Sequence, residues 1–207
     1  MDKKFITKIK NLKIENKVKK KIKNFEENFN FNPKQKFIEL CFCILVANAP
    51  IRKTLEVWKR IYKDFLVFPE DKLKKELKRF GCRFYNKKAA YIVSARKFIK
   101  KIDFIIKNRR DLETREWLVK NIKGIAWKES SHFLRNLGFK NFSILDRHVL
   151  KILLENKIID KIPKSLSKKQ YLNIEKKLRN VSKIFNCNLA ELDLYLFYLD
   201  TGEIPFK

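Results

Sequence analysis

Apolar residues recur along most of the chain with the spacing of α-helices. A first apolar face comprises Val18, Ile22, Phe25 and Phe29. These residues follow steps of four, three and four positions, which places them on one side of a helix. The segment 37–46 is apolar on nearly every side and predicts a central buried helix. No alternating strand pattern persists, so the sequence predicts an all-α fold.

Capping residues indicate where several helices begin and end. Asn32, followed by a proline, is typical of a helix N-terminus, and Gly81 is typical of a C-terminus. Asn188 and Glu191 have the spacing of a capping box, and Asn86 is expected to cap a helix that runs to about residue 101. Further helices are predicted near residues 103–108, 112–121, 127–137, 146–156, 168–185 and 189–200.

The predicted helices divide into two lobes. Residues 32–110 are expected to form one helical lobe, and residues 111–207 a second lobe that contains a glycine turn. Helices within residues 1–31 are expected to pack against either lobe. A chain of 207 residues can bury a core of this kind without disulfides.

The composition adds a strong positive charge. Lysine and arginine total 50 against 23 acidic residues, a net charge of +27, which indicates a polyanionic partner such as nucleic acid. Charge alone does not separate DNA from RNA. Richness in Lys, Glu and Ile also suits heat adaptation, but ion-pair networks would need a closer balance of charges. The sequence shows neither a long apolar span nor a signal peptide, so a cytoplasmic, nucleoid-associated protein is expected.

The thiols and imidazoles do not have the spacing of a metal site. The four cysteines are Cys41, Cys43, Cys82 and Cys187, and the two histidines are His132 and His148. These positions form no C-x-x-C pair and no zinc-like pattern. Free thiols in a reducing compartment are therefore expected, with no metal ion.

The glycine turn near the middle of the chain is the most informative segment for function. A helix is predicted to end near Asn121, and a second helix to start near Trp127, with Gly124 between them. Such a hairpin presents free backbone N–H groups at a helix N-terminus, which suit a DNA phosphate and read no base. Gly124 and Ala126 are therefore candidate phosphate contacts.

This hairpin resembles that of the helix-hairpin-helix DNA glycosylase superfamily, which pairs a Gly-x-Gly-x-Lys turn with a later aspartate. Lys128 and Asp146, eighteen residues apart, match those two positions. The chain departs from the pattern at Ala126, where a second glycine is usual, and it lacks the usual proline before Asp146. Residues 81–89, 133–136 and 201–207 are similar to motifs of archaeal-type 8-oxoguanine DNA glycosylases. The resemblance covers about residues 36–207.

The resemblance implies a bifunctional glycosylase and AP lyase that extracts the damaged base from the duplex. Lys128 would attack C1′ of the deoxyribose and form a Schiff base that permits β-elimination. The amine must be neutral to attack, and burial or neighbouring positive charges favour the neutral form. Asp146 would stabilise positive charge on the sugar, although it also has the position of an ordinary helix N-cap.

The resemblance also implies roles for residues around the catalytic pair. Residues expected at the base pocket are His132, Phe84, Trp127 and Lys207, whose terminal carboxylate could accept hydrogen bonds from a purine. Residues expected to contact DNA are Gly124, Ala126, His148 and Asn48, the last by filling the vacated stack. Each of these side chains could instead be structural: a core or surface residue, a helix end or a frayed terminus.

Other functions stay open on the sequence alone. The nearest alternative is a helix-hairpin-helix glycosylase for another damaged base, and a non-catalytic DNA-binding protein is the main alternative from another class. A helical RNA-binding module is supported only by charge. The expected mechanism needs no cofactor, and the expected partner is damaged duplex DNA, bound by a monomer.

Overall fold

A computed structural model describes residues 3–206, which contain helices and turns but no β-strand. The predicted all-α fold is confirmed. Within this range the helices are α1 (Lys3–Lys10), α2 (Glu15–Glu27), α3 (Pro33–Val46), α4 (Ile51–Ile61), α5 (Glu70–Arg79), α6 (Tyr85–Ala95), α7 (Ile99–Asn108), α8 (Asp111–Asn121), α9 (Trp127–Asn136), α10 (Arg147–Glu155), α11 (Lys168–Ile184) and α12 (Leu189–Thr201). None of the helices described is both long and apolar enough to cross a membrane.

Two of the predicted helix starts are confirmed in atomic detail. The Asn32 side chain accepts a hydrogen bond from the Gln35 backbone, and the Gln35 side chain accepts one from the Asn32 backbone. Asn188 and Glu191 form the same reciprocal box at the start of α12. Each box satisfies two of the backbone N–H groups that a helix start leaves without a helical partner.

The helix expected from Asn86 to about residue 101 was placed wrongly. α6 begins at Tyr85 with Phe84 as its N-cap, and it ends at Ala95 in a three-residue 3-10 turn before α7. The Arg96 guanidinium in this turn donates hydrogen bonds to two backbone carbonyls before α5, at 2.8 and 2.6 Å. Bonds between residues so far apart in the chain do not affect the local spacing of apolar residues, so the sequence pattern did not indicate this break. Phe29, predicted to share the apolar face of α2, lies beyond that helix and is 38% exposed.

The chain forms two compact units. The first, called the terminal unit here, combines the described residues before Asn30 with those from Leu134 onwards. In this unit α1, α2, α10 and α11 all pack against α12. One core cluster joins α2 to α12 through Ile14, Val18, Ile22, Phe25, Ala190 and Leu194.

The second unit, called the middle unit, comprises residues Asn30–Phe133. Its centre is α3, which contacts α4, α6 and α7, while α5 packs against α6. The sequence placed the boundary after residue 110, whereas the contacts place it within α9. The difference arises because α8 belongs to the middle unit: Trp117 meets Phe98 edge-on with ring centroids 5.6 Å apart, and Thr114 donates to the Ile105 carbonyl.

Candidate active site

The predicted hairpin is present between α8 and α9 in the middle unit. The Ile125 N–H donates to the Ile122 carbonyl at 3.2 Å and closes the turn. The Ala126 carbonyl accepts from the Ser130 N–H at 2.9 Å, so the helical bonds of α9 start there. The first backbone N–H groups of α9 therefore lie at the mouth of the turn, where they lack helical partners of their own.

Gly124 is required in this turn for two reasons. Its φ of +84° lies in the left-handed region that side-chain-bearing residues rarely adopt. A Cβ atom added to it would also lie 2.5 Å from Cδ2 of Tyr91. The close approach of α6 therefore leaves no space for a side chain at this position.

Gly124→Ala is expected to lower the free energy of unfolding by about 2–4 kcal/mol, because backbone strain and overpacking add. Gly202→Ala is the matched control: Gly202 has a φ of +71° but no heavy atom within 4 Å of the added Cβ. That variant should lose only about 1 kcal/mol. Urea unfolding of both proteins measures the difference, and equal losses would contradict the steric argument.

Lys128 is the second residue of α9, and its side chain is 29% exposed. Its Nζ lies 3.2 Å from Oε1 of Glu129, a side chain that is only 10% exposed. The candidate nucleophile is thus accessible and has a carboxylate beside it. Sequence reasoning missed Glu129, whose only signal was an acid in the first turn of a helix.

A cleft of about 410 Å³ in the middle unit brings together several of the predicted site residues. Asn48, Phe84, Gly124 and Ala126 line it, all of them predicted from the sequence. Glu129, next to Lys128, also faces this cleft. The hairpin, the end of α3 and the start of α6 therefore share one concave surface.

Asn48 and Phe84 both adopt left-handed backbone conformations, with φ of 52° and 59°. Such conformations cost non-glycine residues of order 1–3 kcal/mol and concentrate at functional sites. The Phe84 side chain is 48% exposed at the start of α6, with the Arg83 guanidinium 4.8 Å from its ring centroid. An exposed ring of this kind is suited to stacking on a base.

Lys88 is a further residue of the cleft, to which sequence reasoning assigned no role of its own. Its side chain is buried, and Nζ donates to the Leu45 carbonyl at 2.6 Å. Burial is the main reason that the pKa of Lys88 is below its usual value, and the positive charges of Arg83 and Lys128 lower it further. The Lys88 amine therefore holds the end of α3 through the Leu45 carbonyl.

Two predicted base-pocket residues lie on α9 beside Lys128. Trp127 is partly exposed, and the Arg115 guanidinium is 4.7 Å from its ring centroid. His132, one turn after Lys128, is 6% exposed and meets Phe42 edge-on with centroids 5.8 Å apart. Each side chain is held by its neighbours, and a base-binding role for either stays a prediction.

Asp146 is the N-cap of α10 in the terminal unit. Its Oδ1 accepts hydrogen bonds from the backbone N–H groups of His148 and Val149, both at 2.9 Å. The predicted capping role is therefore confirmed. Because one oxygen makes both capping bonds, the cap fixes the carboxylate without using Oδ2.

His148 lies in a small basic cluster at the start of α10. Its Nδ1 is 2.5 Å from Oδ2 of Asp200, and its Nε2 accepts from Arg147 at 3.2 Å. Lys151 also bonds Asp200 at 2.6 Å, and hydrogen bonds from Lys151 and then His148 lower the pKa of that carboxyl. The predicted phosphate contact of His148 stays a prediction. Lys207 lies outside the described residues.

Across residues 3–206, no group of three or more His, Cys, Asp or Glu side chains is placed to hold a metal ion. The thiols of Cys41, Cys43 and Cys82 are buried, and that of Cys187 is partly buried.

The glycine hairpin, its following lysine and the capping aspartate, in an all-helical fold, define the helix-hairpin-helix class of DNA glycosylases. The family model for 8-oxoguanine DNA glycosylase matches residues 18–187. The chain belongs to the 8-oxoguanine DNA glycosylase family, as the sequence motifs indicated.

Individual relatives agree with this assignment. The 8-oxoguanine DNA glycosylase/AP lyase of Methanocaldococcus jannaschii is 45% identical over 199 residues, which cover 96% of each chain. The crystal structure of the Methanocaldococcus jannaschii glycosylase/lyase with DNA containing 8-oxoguanine matches at a TM-score of 0.92, with 44% identity and 97% of each chain covered. The Thermotoga maritima 8-oxoguanine DNA glycosylase matches at 0.93, with 35% identity and 98% of each chain covered.

Proposed function

We propose that this protein excises 8-oxoguanine from duplex DNA and cleaves the strand at the resulting abasic site. The observation that carries the proposal is the family match across residues 18–187, which includes the hairpin and Lys128. Lys128 is the second residue of the helix that follows the glycine turn, and this is where the superfamily motif places its lysine. The relatives from Methanocaldococcus jannaschii and Korarchaeum cryptofilum bear the name 8-oxoguanine DNA glycosylase/AP lyase.

Lys128 is the proposed nucleophile. The damaged nucleotide leaves the stack at a cost of a few kcal/mol. The neutral amine of Lys128 attacks C1′, and the bond from C1′ to the base nitrogen breaks, with its electron pair leaving on the base. Loss of a proton and opening of the sugar give a Schiff base. Removal of a C2′ proton then expels the 3′ phosphate by β-elimination and cleaves the strand.

Asp146 is the proposed electrostatic partner of this chemistry. Positive charge develops on the sugar as the base departs, and a fixed carboxylate stabilises it without having to reorganise. The capping bonds from His148 and Val149 support this role because they hold the carboxylate in one orientation.

The remaining site residues have proposed roles in binding. The backbone N–H groups of the turn at Gly124 and Ala126, together with those at the start of α9, contact a DNA phosphate. His148 contacts another phosphate, and Asn48 fills the space of the extracted nucleotide. At the base pocket the proposed residues are His132, Phe84, Trp127 and Lys207.

We also propose that the protein acts as a monomer on the DNA of the cytoplasmic nucleoid. The net charge of +27 supports strong attraction to the DNA backbone. Affinity for duplex DNA should therefore fall steeply as salt is added.

Borohydride trapping with a duplex that carries one 8-oxoguanine opposite cytosine tests the function. A reduced covalent adduct is expected, because borohydride captures the Schiff base. An adduct with another damaged base but none with 8-oxoguanine would keep the reaction and change the substrate. No adduct with 8-oxoguanine, another lesion or an abasic site would leave a DNA-binding protein without this chemistry.

A further inference from the structure

The residues that precede Asp146 form a buried segment outside any helix. Ser143, Ile144 and Leu145 are 2%, 6% and 3% exposed. Buried peptide groups must find hydrogen-bond partners inside the protein, and no helix or strand supplies them here. The position of the Asp146 backbone therefore depends on whatever holds these three residues.

Helix α11 holds the segment with two buried side chains. The Tyr171 hydroxyl donates to the Ser143 carbonyl at 2.6 Å and accepts from the Leu145 N–H at 3.3 Å. Glu175, one turn further along α11, accepts from the Ser143 N–H at 3.1 Å. Tyr171 and Glu175 are 1% and 3% exposed, so packing as well as hydrogen bonding fixes them.

Helix α12 holds Ile144, the residue between Ser143 and Leu145. The Asp193 Oδ1 accepts from the Ile144 N–H at 3.0 Å, and its Oδ2 lies 2.6 Å from Nη1 of Arg135. Burial raises the pKa of Asp193 to about 6; Arg135 opposes this rise, and the negative charge of Asp146 adds to it. Asp193 therefore links Arg135 to the backbone two residues before Asp146.

We propose that Tyr171, Glu175 and Asp193 are positioning residues that set the place of the Asp146 carboxylate for catalysis. The inference rests on the proposed function. Three consecutive residues before Asp146 are each tied to a side chain 26, 32 or 49 positions away. This density of long-range bonds fixes the approach to α10, and a shift of about 1 Å in a catalytic group costs on the order of 10²-fold in rate.

Tyr171→Phe tests the inference, because it removes one hydroxyl that serves two of these bonds and keeps the ring. Single-turnover release of 8-oxoguanine is expected to slow roughly tenfold. Binding to a duplex that carries a tetrahydrofuran abasic analogue should change by less than about twofold, since Tyr171 is not proposed to touch DNA. Tyr195→Phe is the matched control, as its ring packs on the cluster that joins α2 and α12, and it should leave both values unchanged.

The decisive comparison repeats Tyr171→Phe in an Asp146→Asn background. If Tyr171 acts through the Asp146 carboxylate, adding Tyr171→Phe to the Asp146→Asn protein should slow base release by less than about twofold. An equal tenfold loss in both backgrounds would show a general structural effect and overturn the inference, as would a fully active Tyr171→Phe protein. A wild type that releases no base would overturn the proposed function together with the inference.

Glu175→Gln provides a milder second variant in case Tyr171→Phe does not fold. The amide oxygen of glutamine still accepts from the Ser143 N–H, but the bond loses its charge assistance. Base release should slow about threefold in the wild-type background and stay unchanged with Asp146→Asn. Equal slowing in the two backgrounds would again overturn the inference.

Discussion

Replacing Lys128 by glutamine is expected to reduce base release by at least about 10³-fold and to eliminate the borohydride-trapped adduct. Glutamine is similar in length and polarity, but its amide nitrogen has no basic electron pair with which to attack C1′. The side chain is 29% exposed and lies at the start of α9, so the substitution leaves no large cavity. The melting temperature should therefore stay close to that of the wild type.

Lys120→Gln is the matched control for this result. Lys120 is an exposed residue in the last turn of α8. Its replacement by glutamine removes the same positive charge as Lys128→Gln does. This variant should form the adduct as well as the wild type does. Both variants should bind an undamaged duplex with similar affinity, because most of the attraction comes from the whole basic surface. Full activity of Lys128→Gln would remove Lys128 as the nucleophile.

Asp146→Asn is expected to slow excision about 10²-fold without a loss of stability. Asparagine and aspartate are comparable N-caps, so the bonds from His148 and Val149 can persist. What disappears is the negative charge that would stabilise the sugar as the base leaves. Single-turnover kinetics and thermal unfolding on the same samples measure the two effects separately.

Asp146→Ala and Asn188→Ala then separate capping from catalysis. Each removes an N-cap of the terminal unit and should cost about 1 kcal/mol of stability. Only Asp146→Ala should also slow excision, because Asn188 has no place in the proposed chemistry. If Asp146→Asn unfolds the protein or excises base at the wild-type rate, the carboxylate has a structural role alone.

Some features of this site follow from residues that are close together in the chain. The turn at Gly124 and the cap at Asp146 were predicted because glycine and aspartate have strong local backbone preferences. Lys128 was identified from its place directly after that turn. These are short-range relations, so a single sequence shows them.

Other features could not be predicted because their partners are far apart in the chain. Lys88 donates to the Leu45 carbonyl across 43 positions, and nothing in its own segment indicates that it is buried. The only local signal at Glu129 is an acidic residue in the first turn of a helix, which does not indicate a place in the cleft. The break at Arg96 and the inclusion of α8 in the middle unit likewise depend on contacts made by distant residues.

The sequence by itself determined the all-helical fold, the helix caps at Asn32, Asp146 and Asn188, and the hairpin that precedes Lys128, since periodicity, capping and turn chemistry act over a few residues. Only the tertiary structure decided which polar side chains are buried beside these groups. Tyr171, Glu175 and Asp193 meet the segment before Asp146 because α11 and α12 pack there, and their bonds span 26 to 49 positions of sequence. Packing selects such partners by position in space, which local sequence patterns do not record.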